Sequence, residues 1–145
     1  MNQHIVNVSG GKDSGACIEL ALLRGKPFRA VMADTGNESQ ITMDHVGALS
    51  ERLVQHDLGP VELVRNDFSD RIAKKREFVA IKWREQGVPE KYVLRALAVL
   101  HPTGNPFLDL CIWKGRFPSR RAQFCTEFLK QEAIWKAVLR PALEV

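Results

Sequence analysis

Ile5-Val6-Asn7-Val8-Ser9-Gly10-Gly11-Lys12-Asp13-Ser14 is the stretch that decides the fold of this chain. A short apolar run leads into two glycines. Behind them Ala16, Cys17, Leu20, Ala21 and Leu23 recur at helical spacing. Strand, glycine loop, helix is the order that turns backbone N–H groups toward an anion. Gly10 and Gly11 permit positive φ and a close approach of backbone to a phosphate or sulfate. The helix start adds about half a positive charge. Lys12 adds a full charge, and Asp13 or Ser14 is expected to cap the first turn. The loop is not a Walker A motif, because Lys12 follows the glycine pair directly and the G-x-x-x-x-G-K-[ST] spacing is absent.

Outward from the loop, the first helix is expected over 12–24, with Gly25 just past its end and Pro27 beyond. Residues 28–33 read as a second strand, broken by Asp34-Thr35-Gly36-Asn37. A second helix over 40–56 carries Ile41, Val46, Leu49 and Leu53 on one face and is closed by Gly59-Pro60; residues 61–65 form a third strand. This β-α-β-α-β order with short connections predicts an α/β fold, a three-layer open parallel sheet of Rossmann-like type. In such sheets ligands bind at the carboxyl ends of the strands. The loops after strands one and two therefore converge on one crevice. Asp34 is placed to accept from a donor group of a ligand or to hold a metal, and Thr35 and Gly36 to line the crevice.

After Asp67 the pattern becomes helical and basic. Ser69 is the expected cap of a helix over 70–86, Gly87 ends it, and Pro89 opens another that reaches residue 100. A loop over 101–106 precedes two apolar patches, Phe107-Leu108 and Leu110-Cys111-Ile112-Trp113. Lys114-Gly115-Arg116-Phe117-Pro118 reads as a turn. Ser119 is expected to cap a helix through residue 130, and the last helix covers 131–140. Net charge is +4, unevenly spread: residues 1–70 hold six basic and ten acidic side chains, residues 71–145 fifteen and seven. The second half is either a solvated basic face or a source of cations for an anionic ligand.

At 145 residues the chain is expected to be one domain, 1–145, with a βαβαβ core in 1–67 and a mostly helical basic half in 68–145. No apolar run reaches the length of a membrane span, and the polar start has no signal-peptide pattern. Cys17, Cys111 and Cys125 form no CxxC pair and no zinc spacing. A reducing, cytoplasmic setting without membrane contact is the expectation. His4, His45, His56 and His101 share no spacing with a nucleophile or a metal cluster.

Ser9-Gly10-Gly11-Lys12-Asp13-Ser14 resembles the PP-loop, SGGxDS, of the adenine nucleotide alpha hydrolase superfamily. That HUP-type group includes the N-type ATP pyrophosphatases and the phosphoadenosine phosphosulfate (PAPS) reductases. Asp34-Thr35-Gly36-Asn37-Glu38 is similar to the segment after the second strand of PAPS reductases. Arg120-Arg121-Ala122-Gln123-Phe124-Cys125-Thr126-Glu127-Phe128-Leu129-Lys130 resembles their R-x-C-T-x-x-L-K segment, most closely in phage and prophage members. The resemblance implies a nucleotide site of Ser9, Gly10, Gly11, Lys12, Asp13, Ser14, Asp34, Thr35, Gly36, Arg120, Arg121 and Lys130. Arg120 and Arg121 would grip phosphate oxygens through their planar forks. The family's tail nucleophile in a Glu-Cys-Gly-type motif, its last strand with a further Arg, and the dicysteine pairs of iron–sulfur relatives have no counterpart here. No iron–sulfur cluster is therefore expected. Cys125 is the thiol that remains for a catalytic role, against its plainer reading as a small buried hydrophobe.

Three readings follow. The first is a PAPS reductase-like enzyme of sulfur metabolism, working on an adenine sulfonucleotide with a thioredoxin-type reductant. The second is an ATP pyrophosphatase that adenylates an acceptor with Mg²⁺ in nucleic-acid sulfur modification, although no row of aromatics interleaves the basic residues. The third is a non-catalytic nucleotide-binding module. Strand one is expected at the centre of the sheet, its far edge covered by a strand beyond this stretch. If uncovered, that edge predicts a homo-oligomer; otherwise Leu110-Cys111-Ile112-Trp113 supplies the covering strand.

Overall fold

The computed structural model describes residues 3–144. β1 (His4–Asn7), α1 (Lys12–Leu23), β2 (Phe28–Ala33), α2 (Gln40–Gln55) and β3 (Glu62–Val64) alternate as the spacing predicts. The strands are parallel in the order β1-β2-β3, with Val6 opposite Ala30 and Met32 opposite Leu63. β2 is therefore central among the described residues, and β1 is paired on one side only, the open far edge expected where no strand of this stretch covers it. Both helical crossovers step the chain the same way along the sheet. Nothing in the described helical half returns a strand to the far side of β1.

Both faces of β2 are covered. Phe28, Ala30 and Met32 share a core with Val8, Ile18 of α1, Val46 and Leu53 of α2, and Val61. Val31 and Ala33 point the other way and are also buried, with α6 (Glu132–Ile134) against that face of β2. Helix, sheet, helix is the three-layer arrangement expected of a parallel sheet. Ile41 is 81% exposed, contrary to the expected apolar face. The stripe of Val46, Leu49 and Leu53 runs back at steps of three and four to Met43, so Ile41 falls on the solvent side. α2 also stops earlier than its Gly59-Pro60 signal, at His56, with Asp57 in the left-handed region at φ 57°.

The second half packs its own core. α3 (Ser69–Phe78) runs on through a π-helical turn, Val79–Trp83; α4 spans Glu90–Val99 and α5 spans Pro106–Lys114. A last helical run joins a π-helical stretch Thr126–Gln131, α6, a second π-helical stretch Trp135–Leu139 and α7 (Arg140–Leu143). Phe68, Ile72, Val79, Val93, Leu100, Leu110 and Leu129 form the buried centre of this half.

Three local expectations change. Ser69 is the first helical residue, not the cap; Phe68 holds the cap position and the Asp67 carboxylate accepts the Ser69 N–H at 2.8 Å. The Leu110–Trp113 patch is helical and supplies no strand. Asn105 caps that helix by accepting the Leu108 N–H at 3.1 Å, and Pro106 suits its first turn. Ser119 sits in a tight turn paired with Ala122, and helix begins only after it. Among the described residues no helix is long and apolar enough to cross a membrane.

Candidate functional site

All three strands are parallel, so the segments after β1, β2 and β3 emerge at one end of the sheet. After β1, Gly10 takes φ 75°, and a Cβ there would lie 2.6 Å from Thr42 Cγ2 in the first turn of α2. Glycine is required at this position both by the dihedral and by the close approach. Gly11 occupies the cap position of α1 and offers no side chain, so neither Asp13 nor Ser14 caps as expected. The Ser14 hydroxyl instead folds back on the loop. It accepts the Ser9 N–H at 3.1 Å, donates to the Gly11 carbonyl at 3.0 Å and lies 3.2 Å from Ser9 Oγ. The N–H groups of Lys12, Asp13 and Ser14 have no partner among the described residues. Lys12 is exposed, and no described carboxylate pairs with it.

After β2, Asp34 and Thr35 are tied into the loop itself. Asp34 Oδ1 accepts the Gly36 N–H at 3.0 Å, and Oδ2 accepts from Arg65 Nε at 2.8 Å. The buried Thr35 hydroxyl donates to Glu38 at 2.8 Å and accepts from the Asn37 N–H at 3.3 Å. Ser39 then caps α2 through the Thr42 N–H at 3.2 Å. The two loops thus meet through one turn of helix: Thr42 touches Gly10 on one side and hangs from the Asp34–Ser39 segment on the other.

Three residues of this region escaped the sequence reading. Arg65 follows β3 and reaches Asp34 with its guanidinium about half exposed. Its position as the last residue of the expected third strand was the available signal, because that end of the sheet is where the ligand crevice lies. Thr42 carries no motif. Asn105 comes from the other half of the chain, and its amide Nδ2 donates to the Gly36 carbonyl at 2.9 Å. Among the described residues no three His, Cys, Asp or Glu side chains come together as a metal cluster would.

The third segment stands apart in its contacts. Arg120 and Arg121 are exposed on the turn closed by Ser119 and Ala122, and Lys130 is exposed on the last helical run. Among the described residues no hydrogen bond or ion pair joins them to the loops after β1 or β2. Cys125 is half-buried against the second core. Burial pushes the neighbouring Cys111 thiol up, and the Cys125 sulfur adds to that.

Much of the remaining basic charge has structural work. Arg71 pairs with Glu132, 2.9 Å from Nη1 to Oε2, and lies 4.8 Å from the Trp113 ring centre and 5.2 Å from that of Phe128. Lys75 donates to the Trp113 carbonyl at the end of α5, and Arg76 to the Leu97 carbonyl at the end of α4. Burial and then the charge of Lys114 push the Lys75 amine down. Glu132 lies low, at about 2: burial alone would raise it, and hydrogen bonds from Arg71 and Lys136 outweigh that.

Comparison with known proteins bears on the same residues. The family model of the phosphoadenosine phosphosulfate reductase domain matches residues 3–97. That span includes the Ser9–Ser14 loop, Asp34–Gly36 and Arg65, and ends before Asn105, Arg120 and Arg121. An uncharacterized 37.8 kDa protein in the gpa 5′ region of Escherichia phage 186 is 46% identical over 150 residues, covering 97% of this chain and 43% of its own length. The chain therefore spans less than half of that relative. No solved structure matches it. On the match over 3–97, which takes in the whole βαβαβ core and both glycine loops, the chain belongs to the phosphoadenosine phosphosulfate reductase domain family.

Proposed function

We propose that the chain binds an adenine nucleotide bearing phosphate or sulfate groups, and that it does so as part of sulfonucleotide reduction or a related sulfur transfer. The observation that carries this is the row of unpartnered N–H groups on Lys12, Asp13 and Ser14, with the Lys12 ammonium beside them. An anion at this end of the sheet gains the helix start, three backbone donors and one full charge. The Asp34–Gly36 loop, coupled to it through Thr42, forms the wall toward the adenine. Arg120, Arg121 and Lys130 are exposed cations that a long anionic ligand would draw toward the same crevice.

In the reductive reading a thiolate attacks sulfur, an S–S bond to the sulfonate forms, and adenosine 3′,5′-bisphosphate leaves. A thioredoxin-type dithiol then releases sulfite and becomes a disulfide. Cys125 is packed against the second core, which supports a structural role for it, so the proposal rests on binding alone. An ATP pyrophosphatase would use the same loop for the pyrophosphate end of ATP with Mg²⁺.

Calorimetry with adenosine, adenosine 3′,5′-bisphosphate and ATP with Mg²⁺ tests the reading. Lys12→Ala should weaken the phosphorylated ligands by about tenfold to a hundredfold, the equivalent of about 1.5–3 kcal/mol for a charge-assisted contact. Adenosine should lose nothing. Equal losses for all three would put Lys12 outside a phosphate site. Much tighter binding of ATP than of the bisphosphate would move the function to adenylation.

A further inference from the structure

The β2 loop is held from outside its own half of the chain. Asn105 has both ends of its side-chain amide engaged by backbone. Oδ1 accepts the Leu108 N–H at 3.1 Å and caps α5, while Nδ2 donates to the Gly36 carbonyl at 2.9 Å. The fit is tight. Gly36 has φ 75°, and a Cβ on it would lie 2.7 Å from Asn105 Oδ1 and 2.9 Å from Pro106 Cδ. The segment carrying Asn105 is itself locked. The buried Asp109 carboxylate accepts the Thr103 hydroxyl at 2.7 Å, the Thr103 N–H at 2.6 Å and the Gly104 N–H at 3.2 Å. Asp109 lies in the first turn of α5, where a carboxylate also suits the helix dipole. A chain of hydrogen bonds made by the Asp109, Asn105 and Asp34 side chains therefore runs from α5 through the 101–105 loop to Gly36, and on to Arg65.

We propose that Asn105 is a positioning residue that latches the helical half onto the Asp34–Gly36 loop and sets the nucleoside end of the nucleotide site. This rests on the reading of that loop as the adenine wall of the crevice. A helix cap alone needs only an acceptor, and aspartate serves about as well as asparagine there. The contact to the Gly36 carbonyl needs a donor, which the amide has and a carboxylate lacks. The second role is therefore separable from the first by one substitution.

Asn105→Asp keeps the cap and replaces the latch by two facing acceptors. Amide hydrogen exchange on the ligand-free protein should show faster exchange over residues 35–37 and unchanged protection at Leu108. Calorimetry on the same variant should show adenosine and adenosine 3′,5′-bisphosphate weakened by about tenfold, one hydrogen bond to a charged or buried partner. Binding of inorganic pyrophosphate, which needs only the Ser9–Ser14 loop, should be unchanged. Asn105→Gln, which keeps the donor on a longer arm, should restore part of the protection at 35–37. Unchanged exchange at 35–37 in Asn105→Asp overturns the latch, as does an equal loss of pyrophosphate and adenosine. If exchange rises as expected but the wild-type chain binds no adenine nucleotide, the latch stands and the adenine reading of the crevice fails.

Discussion

The two halves of this molecule handle polar groups in opposite ways. In the first half, at the carboxyl end of the sheet, backbone donors and a lysine beside them have no partner among the described residues. In the second half, which carries most of the basic charge, many cations are already committed. Arg71 lies against Glu132 and three aromatic rings, Lys75 and Arg76 close helix ends, and Arg84 and Lys82 pair with Glu90 and Glu85. An excess of positive charge is thus a poor guide to where an anion binds. Helix C-termini and aromatic faces also attract cations. The candidate site lies in the half whose net charge is negative, because geometry there leaves N–H groups free.

The largest test of that contrast is Gly10→Ala. It forces a side chain into φ 75° and sets Cβ against Thr42 Cγ2, a cost on the order of 2–4 kcal/mol from strain and overpacking together. Denaturant unfolding should show the loss, and nucleotide binding should disappear with the loop geometry. Thr42→Ser removes Cγ2 and should return the steric part of that cost but not the dihedral part. A Gly10→Ala protein of wild-type stability and affinity would mean that the loop does not hold this conformation.

In the second half the corresponding test is Glu132. Its carboxyl is held at about 2, far below the ordinary 4.5. A carboxylate depressed on folding stabilises the protein above its unfolded pKa, and that contribution is lost as pH falls through the folded one. The window is therefore from about pH 4.5 down to about pH 2, and the contribution is up to about 3 kcal/mol. Urea unfolding of wild type and Glu132→Gln should differ most near neutral pH and converge as pH falls through that window. Parallel curves would show that Arg71 and Lys136 do not hold this carboxylate. Nucleotide affinity should change little in either case.

The smallest expected effect concerns the edge of the first half. β1 is paired on one side only among the described residues, and a groove of about 690 Å³ beside it is lined by Ile5, Val6, Leu20 and Phe28 among others. An open strand beside apolar surface favours pairing with a second copy. Light scattering over a concentration series should detect self-association, and Ile5→Lys should reduce it. A monomer at every concentration would mean that this edge does not pair with itself.

The elements of the first half are legible almost to the residue, since strand and helix there alternate with glycine at each junction and proline before the second and third strands. The loop Ser9–Ser14 and the tripeptide Asp34-Thr35-Gly36 were legible too, because local order alone puts both at the carboxyl end of parallel strands. The misreadings share a cause. Ile41 was counted into an apolar stripe that Met43 continues. Residue type alone predicts Ser69 and Ser119 as caps, while Phe68 holds the first cap position with Asp67 accepting the Ser69 N–H, and a turn with Ala122 claims Ser119. Capping depends on which acceptor reaches the free N–H, and residue preference alone does not say that.

Sequence by itself determined the parallel βαβαβ core, the glycine loop at the start of the first helix and the family, because each depends on short-range order of residue types along the chain. Tertiary structure alone decided that the Leu110–Trp113 patch is helical and covers no strand, that Arg65 holds Asp34, that Thr42 fills the space behind Gly10 and that Asn105 clasps Gly36 from 69 positions away. These contacts join residues whose neighbours in sequence give no sign of them. They arise from packing within the first half and, for Asn105 and Gly36, of one half on the other, where a donor, an acceptor and the absence of a Cβ must meet in space.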